Sequence, residues 1–224
     1  MESMGVYFKS DTDLVTVNRV FKNGDEDSKT MNMLDFVNAL NNSVGKTCFT
    51  ELGEMPFGYF RGSINPSDPS NFKVAVIIPQ DKRILTYFGE EHLVPFPELL
   101  FLFTVKSGRV KESYVYSLVS SKGSRNVAHF PYGNVYNDGK ICWGTNILPK
   151  IENMKAIERI VDLFFGSETN DDLYTVGSNI IKREQFFNQR GLILAAESRK
   201  KFPARWLKMY NLLLNDVVNV FFNK

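Results

Sequence analysis

Short stretches of alternating apolar and polar residues along the first part of the chain are typical of half-buried strands. VYF at 6–8 and LVTVNRVF at 14–21 each predict a strand with one face on a core. Apolar residues then recur at helical spacing, which predicts a helix over about residues 31–41. The segment 44–71 is rich in Gly, Pro, Ser and Asn, so we expect it to be mostly loop.

The middle of the chain has the pattern of two hairpins. KVAVII at 73–78 and ILTYF at 84–88 flank the turn QDKR and predict the first hairpin. The stretches 99–105 and 110–119 flank the turn KSGR and predict the second. The strand 99–105 is almost entirely apolar, which favours a place at the centre of the sheet. A last short strand is predicted at 126–130.

The C-terminal third has helical periodicity. Apolar residues follow helical spacing over 154–164, and Gly166 closes the pattern. A second helix is predicted near 181–197, and a third from Pro203, since proline is favoured at the first helical position. The expected buried stripe of this third helix is Trp206, Tyr210, Leu213, Val217 and Val220. Strands followed by helices indicate an α+β fold rather than alternating βαβ units.

Composition narrows the class of protein. The 224 residues are 43% apolar and 13% aromatic, which is enough for a substantial core. Lysine plus arginine number 27 and aspartate plus glutamate 25, a balance that argues against a dedicated nucleic-acid surface. Two cysteines and two histidines are too few and too scattered for a disulfide framework or a zinc site. No signal peptide or long apolar segment is visible, so we expect a cytoplasmic protein with reduced thiols.

The segment FPYGNVYNDGKICWGTN at 130–146 is a candidate site for a reactive thiol. It places Cys142 in an irregular, aromatic-rich loop between a predicted sheet and a predicted helix. A thiol in such a loop can act as a nucleophile. Lys140 lies two residues earlier, and a nearby cation would favour the thiolate. The other cysteine, Cys48, lies outside this segment and is interpreted as structural.

These residues also have plainer interpretations, which stay open at this point. Cys142 could be a buried core cysteine, because free cysteine is among the most buried residue types. Asn134 could simply satisfy the loop backbone, as asparagine often does in turns. His129 with Cys142 would suggest a cysteine-protease pair, which requires the imidazole within hydrogen-bond distance of the thiol. His92 is expected to mark a loop.

Residues 134–142, NVYNDGKIC, resemble the active-site segment of the ubiquitin-conjugating enzymes, whose typical string is Asn-Val-Tyr-x-x-Gly-x-Ile-Cys. The spacing from the asparagine to the cysteine matches without a gap. IERIVDLFFGSETNDDL at 157–173 has the outline of that family's next helix and turn. The family's His-Pro before the asparagine falls on Tyr132 and Gly133 here. With Cys-Trp-Gly after the loop, the chain resembles the divergent prokaryotic branch, and within it the PRTRC system protein B family.

The resemblance implies a fold and a division of the chain. The fold is α+β, with a ubiquitin-conjugating-enzyme-like antiparallel β-meander followed by helices. Residues 70–175 would form the ubiquitin-conjugating-like core. Residues 1–70 would be an N-terminal extension of strands, one helix and a loop, and residues 176–224 a C-terminal helical extension packed on the core.

The resemblance also implies an activity, in which Cys142 carries a ubiquitin-like modifier as a thioester and passes it to an amine. An amide N–H of Asn134 would stabilise the oxyanion formed by the attacking amine. The residues that would support the loop are Tyr132, Tyr136, Asp138, Gly139 and Trp143. The implied partners are a ThiF-like activating enzyme, the modifier and a JAB-type isopeptidase of the same system. No metal or cofactor is implied, and neither a membrane nor nucleic acid is expected as a partner.

A function of a different class is also compatible with the sequence. The chain could be a catalytically inactive binding module with the ubiquitin-conjugating fold, in a plasmid or mobile-element system of the PRTRC type. Fold alone does not fix function. The replacement of the family's His-Pro by Tyr-Gly beside the cysteine loop favours this alternative. An accessible Cys142 would favour the enzyme, whereas a Cys142 walled in by Trp143 would favour the module.

Overall fold

A computed structural model gives the three-dimensional structure of the chain. It describes residues 3–8, 12–44, 54–65, 67–121, 123–174, 186 and 188–223. The chain divides into two compact units, Met1–Glu51 and Leu52–Lys224. Cys48 and the first part of the predicted second helix lie outside the described residues.

The described residues of the first unit form a three-stranded antiparallel sheet and one helix. The strands β1 (Ser3–Phe8), β2 (Leu14–Val20) and β3 (Glu26–Asn32) are neighbours in that order. Helix α1 spans Met33–Val44. The two predicted strands and the helix are confirmed. The sequence pattern does not indicate β3, because its residues EDSKTMN are polar and almost all exposed.

In the described part of the second unit there are eight strands. They are β4 (Tyr59–Asn65), β5 (Asp68–Ile78), β6 (Asp81–Tyr87), β7 (Glu90–Phe96), β8 (Glu98–Lys106), β9 (Arg109–Ser121), β10 (Ser124–Ala128) and β11 (Met209–Leu213). Six of them form one antiparallel sheet in the order β11-β10-β9-β8-β5-β4, and β6 and β7 form a separate hairpin.

The first predicted hairpin is wrong. The strand β5 pairs with β4 and β8, whereas β6 pairs with β7. Residues 74–76 of β5 are buried without interruption, which suits a strand inside the sheet, whereas in β6 only Leu85 and Tyr87 are buried. The turn between β5 and β6 suggests a hairpin, whereas one of the two partners of β5, the strand β8, lies beyond the β6–β7 hairpin. The strand β4 and the start of β5 lie in the segment 44–71, which is predicted to be mostly loop, so that prediction is wrong for residues 59–65 and 68–71.

The second predicted hairpin is confirmed in β8 and β9. The strand β8 lies inside the sheet, as its apolar sequence indicates, because both of its faces are covered. Its odd-numbered residues from Leu99 to Val105 join one core with helix α2 (Ile157–Gly166). Leu100 and Leu102 join a second core with helix α4 (Leu214–Asn223) on the other face.

The core predicted from the sequence is confirmed in the first of these two cores. The apolar residues of the predicted strands 99–105 and 110–119 and of the helical pattern over 154–164 predict one shared core of Leu99, Phe101, Phe103, Val115, Ile157, Val161 and Phe164, and all seven are buried there. Phe101 stacks on Phe103 and meets the ring of Phe164 edge-on. Truncating such a residue to alanine typically costs about 2–5 kcal/mol.

The helices after the sheet follow the prediction in part. A 3₁₀ turn at Met154–Ala156 leads into α2, which ends at Gly166 as predicted. Helix α3 (Gln189–Glu197) covers the described end of the predicted second helix, and Gly191 lies inside it without a break. Within the described residues, no helix is long and apolar enough to cross a membrane.

The predicted third helix is wrong over its first half. Residues Ala204–Trp206 form a 3₁₀ turn and Met209–Leu213 form β11, so only Leu214–Asn223 is helical. The edge of β10 provides hydrogen-bonding partners for β11, and this pairing overrides the local helical pattern. The expected buried stripe is therefore split: Trp206 is buried, whereas Val220 is 58% exposed.

Candidate functional site

Residues 134–142 form a loop that turns back on itself and lies against β9. Val135 and Ile141 form an isolated antiparallel bridge, and both side chains are buried in the core. The Ile141 N–H donates to the carbonyl oxygen of Ser113 at 2.9 Å. Two buried anchors and a hydrogen bond to the sheet therefore hold this loop in one place.

The turn of this loop requires a glycine at position 139. Gly139 has a φ of 88°, and a Cβ there would lie 2.3 Å from a ring carbon of Tyr116. The Tyr116 hydroxyl donates to the carbonyl oxygen of Asp138 at 2.8 Å. The Asp138 carboxylate accepts from the Lys140 N–H at 3.0 Å. Asp138 and Gly139 thus shape the loop through the backbone, and any larger residue at 139 would displace the tyrosine ring.

The structure brings Cys142 and Asn134 together. The Cys142 N–H donates to the Asn134 carbonyl oxygen at 2.8 Å. Asn134 has a left-handed backbone with φ of 65°, and its side-chain Nδ2 donates to the carbonyl oxygen of Glu168 at 2.7 Å. Both Cys142 and Asn134 line an open groove of about 530 Å³. The two residues predicted to be catalytic therefore face the same space.

Cys142 is partly exposed and lines this groove. The hydroxyl of Tyr136 donates to its sulfur at 3.6 Å. This hydrogen bond to Cys142 is the main cause that raises the pKa of Tyr136 above its usual value. Within the described residues, no hydrogen bond joins Lys140 to the sulfur. The neighbour that the structure provides for the thiol is thus a tyrosine hydroxyl rather than the lysine expected from the sequence.

Contacts with the strand β9 and the helix α2 anchor Trp143 in the protein. Its Nε1 donates to the Ser113 hydroxyl at 2.9 Å, and its ring meets Phe164 edge-on with centroids 6.3 Å apart. The indole packs against the main core, and Trp143 also lines the groove. Trp143 and Cys142 are therefore neighbours in the wall of the groove.

The other wall of the groove is the segment 168–173, which follows α2. It carries the carboxylates of Glu168 and Asp172, and Asp172 accepts from the Asn170 amide at 3.0 Å. The Thr169 N–H donates to the carbonyl oxygen of Thr86 at 2.8 Å, which ties this wall to the β6–β7 hairpin. The resemblance to the ubiquitin-conjugating enzymes covers this segment only in outline. No local signal indicated that it would face the cysteine.

Tyr132 and Gly133 occupy the positions of the His-Pro pair and anchor the start of the loop. Tyr132 is fully buried, and its hydroxyl donates to the carbonyl oxygen of Pro95 at 2.9 Å. Burial raises the pKa of Tyr132 well above its usual value, so the phenol stays neutral. A Cβ at Gly133 would lie 2.7 Å from both the Asn170 carbonyl oxygen and Gln189 Oε1. Tyrosine and glycine are therefore the residues that this packing requires.

The structure does not bring His129 to Cys142. His129 is 8% exposed and stacks on the ring of Tyr210, with centroids 3.8 Å apart. Burial, with a smaller contribution from the charge of Lys208, lowers the pKa of His129 to about 4. In the part of the chain that the structure describes, no hydrogen bond links this imidazole to the thiol. The cysteine-protease interpretation therefore lacks its required geometry.

Two further expectations concern histidine and metal sites. His92 lies in β7 rather than in a loop, and its Nδ1 is 2.7 Å from Glu197 Oε1 on α3. The predicted loop position of His92 is therefore wrong. Across the described ranges, no group of three or more His, Cys, Asp or Glu side chains could hold a metal ion.

Together these features define a class of protein: a mixed α+β unit dominated by antiparallel strands, compatible with the E2-like fold, with a cysteine-bearing loop between sheet and helix. Prokaryotic E2 family D matches residues 71–210, and the chain belongs to that family. The matched region runs from β5 to β11 and includes the Cys142 loop. Neither the curated proteins nor the solved structures contain a match to the chain. The resemblance to prokaryotic ubiquitin-conjugating proteins is confirmed, while the placement with PRTRC system protein B stays a prediction.

Proposed function

We propose that the protein carries a ubiquitin-like modifier as a thioester on Cys142 and transfers it to an amine. The observation that carries this proposal is the position of Cys142, a partly exposed residue of an open groove that Asn134 also lines. Membership of prokaryotic E2 family D supports the same class of chemistry.

The proposed reaction has two steps that exchange acyl groups. In the first, the Cys142 thiolate attacks the carbonyl carbon of the modifier, which is held as a thioester on the activating enzyme, and the thiolate of that enzyme leaves. In the second, a target amine attacks the Cys142 thioester, the Cys142 thiolate leaves, and the amine loses a proton as the amide forms. Neither step changes an oxidation state, and neither calls for a metal.

Asn134 is proposed to act in the second step. A side-chain amide nitrogen carries two protons, and Asn134 uses one of them to donate to the Glu168 carbonyl. This bond fixes the orientation of the amide, so the second N–H can serve the oxyanion that forms beside Cys142. Tyr136 complements this role, because its hydroxyl donates to the sulfur that must accept negative charge on leaving.

The proposal includes the partners of such a pathway. A ThiF-like enzyme would activate the modifier, and a JAB-type isopeptidase would remove it, as in PRTRC-type systems. A thioester carrier needs a reduced cysteine, which suits the reducing cytoplasm. Genes for these three partners beside the gene for this protein would support the assignment to such a system.

The test uses the full chain with its activating enzyme, ATP and modifier. We expect a covalent adduct that reductant removes, and Cys142→Ser should convert it to a reductant-resistant ester or abolish it. Cys48→Ser is the matched control and should leave the adduct unchanged. An adduct that persists in Cys142→Ala would contradict the proposal. If the unmodified chain binds the modifier tightly yet never forms an adduct, the protein is the binding module instead.

A further inference from the structure

A second cavity lies on the face of the six-stranded sheet that is covered by α4. It has a volume of about 420 Å³ and shares no lining residue with the Cys142 groove among the residues described. Its walls include Tyr114 and Tyr116 of β9, Tyr210 of β11, and Val217 and Phe221 of α4. A concave, mostly apolar cavity of this size is typical of sites that bind a small molecule or an inserted side chain.

The charged groups of this cavity all have the same sign. Glu112, Asp138 and Asp216 line it, and within the described chain no lysine, arginine or histidine does. Glu112 accepts a hydrogen bond from the Thr104 hydroxyl at 3.0 Å, which helps to orient its carboxylate. Burial raises the pKa of Tyr114, and the charges of Glu112 and Asp138 raise it further. A cleft with one sign of charge and apolar walls focuses its potential on an ion of the opposite sign.

The aromatic rings add a second preference for a cation. Tyr114 and Tyr116 are parallel, with an interplanar angle of 4° and centroids 6.5 Å apart. Tyr210 meets Tyr116 edge-on at 5.6 Å. Ring faces attract cations, and a planar guanidinium can also stack on them. Leu212 and Val220, which are 46% and 58% exposed, extend the apolar wall toward solvent.

We propose that this cavity binds an arginine side chain of a partner protein, presented by a segment with apolar residues on either side. The carboxylates and ring faces recognise the guanidinium, and the exposed Leu212 and Val220 receive the apolar neighbours. The cavity is connected to the Cys142 loop, because the Tyr116 hydroxyl donates to the Asp138 carbonyl and the Tyr210 hydroxyl to that of Asn137. A bound segment therefore contacts the residues that hold this loop in place.

The test measures fluorescence anisotropy of a labelled peptide, Gly-Leu-Arg-Leu-Gly, against the same peptide with citrulline, a neutral isostere of arginine. We expect the arginine peptide to bind about tenfold more tightly than the citrulline peptide, because one hydrogen bond between charged groups typically contributes about that factor. Glu112→Gln and Asp216→Asn should each weaken its binding about tenfold. Glu91→Gln removes an exposed carboxylate from β7 and should leave the affinity unchanged.

Several outcomes would overturn the inference. Equal affinity for the arginine and citrulline peptides would show that charge is not recognised. Undiminished binding by both cavity variants, each with a melting temperature close to that of the parent, would place the binding elsewhere. Absence of binding at millimolar peptide would exclude this ligand. None of these outcomes depends on the thioester chemistry of Cys142, so the inference and the proposed function can fail independently.

Discussion

Asn134 could affect transfer by holding the shape of the loop or by donating to the oxyanion. Because its backbone is left-handed, two substitutions can separate these two roles. The residue has a φ of 65°, where glycine is comfortable and alanine is strained. Its side chain also donates to the Glu168 carbonyl. Asn134→Ala removes the amide and strains the backbone, whereas Asn134→Gly removes the amide without that strain.

The expected effects on stability differ between the two variants. Loss of the hydrogen bond to Glu168 costs about 1 kcal/mol in either case. Alanine adds roughly 1 kcal/mol for its left-handed conformation. The free energy of unfolding should therefore fall by about 2 kcal/mol for Asn134→Ala and by about half of that for Asn134→Gly.

The expected effects on transfer are the same for both variants. Charging exchanges one thioester for another and can use the site of the activating enzyme, so both variants should still accept the modifier. Aminolysis depends on the oxyanion donor beside Cys142, so both should discharge to amines roughly 10²-fold more slowly. The assay is single-turnover discharge of the pre-charged protein, measured beside a thermal melt.

Two results would refute this reasoning. If Asn134→Gly discharges much faster than Asn134→Ala, the rate follows loop geometry and the amide is not the oxyanion donor. If both variants discharge at the rate of the parent, Asn134 has no part in the transfer step.

Two further predictions concern the stability of the loop and of the buried histidine. Gly139→Ala should destabilise the protein more than Gly123→Ala, because both glycines have positive φ but only a Cβ at 139 meets a tyrosine ring. Chemical denaturation measures the free energy of unfolding of both variants, and equal losses would contradict the clash. The pKa of His129, about 4 in the folded chain, lies below its usual value of 6.5, so the unfolded chain takes up the proton first. As the pH falls from about 6.5 to about 4, this group should lower the free energy of unfolding by up to ~3 kcal/mol. His129→Phe should flatten that part of the pH profile, and parallel profiles for variant and parent would contradict the assignment.

The features that follow from neighbouring residues were predictable from the sequence. The loop 134–142 was recognised because its turn residues and its spacing to the cysteine are local. The apolar strand β8 was placed inside the sheet because a strand covered on both faces needs apolar residues at every position. The helix α2 followed from its periodicity and from Gly166 at its end.

The features that depend on distant pairing were not predictable in this way. The segment 209–213 has apolar residues at helical spacing, and only the free edge of β10 makes it a strand. The contact of Trp143 with Ser113 joins a loop to a strand about 30 residues away along the chain, and that of Asn134 with Glu168 spans a similar distance. Such contacts leave no periodic signal, so the wall of the groove opposite Cys142 appeared only in the structure.

The anchoring of Trp143 gives the protein an optical reporter of its own thiol. The sequence has two tryptophans, and the other, Trp206, is buried between the rings of Phe186 and Phe202. Trp143 instead lines the groove and directly follows Cys142 in the chain. Indole emission depends on the polarity around the ring, and an acyl group on the sulfur would displace water from the groove beside it. Emission from Trp143 should therefore follow the loading and unloading of Cys142 in real time, without a label.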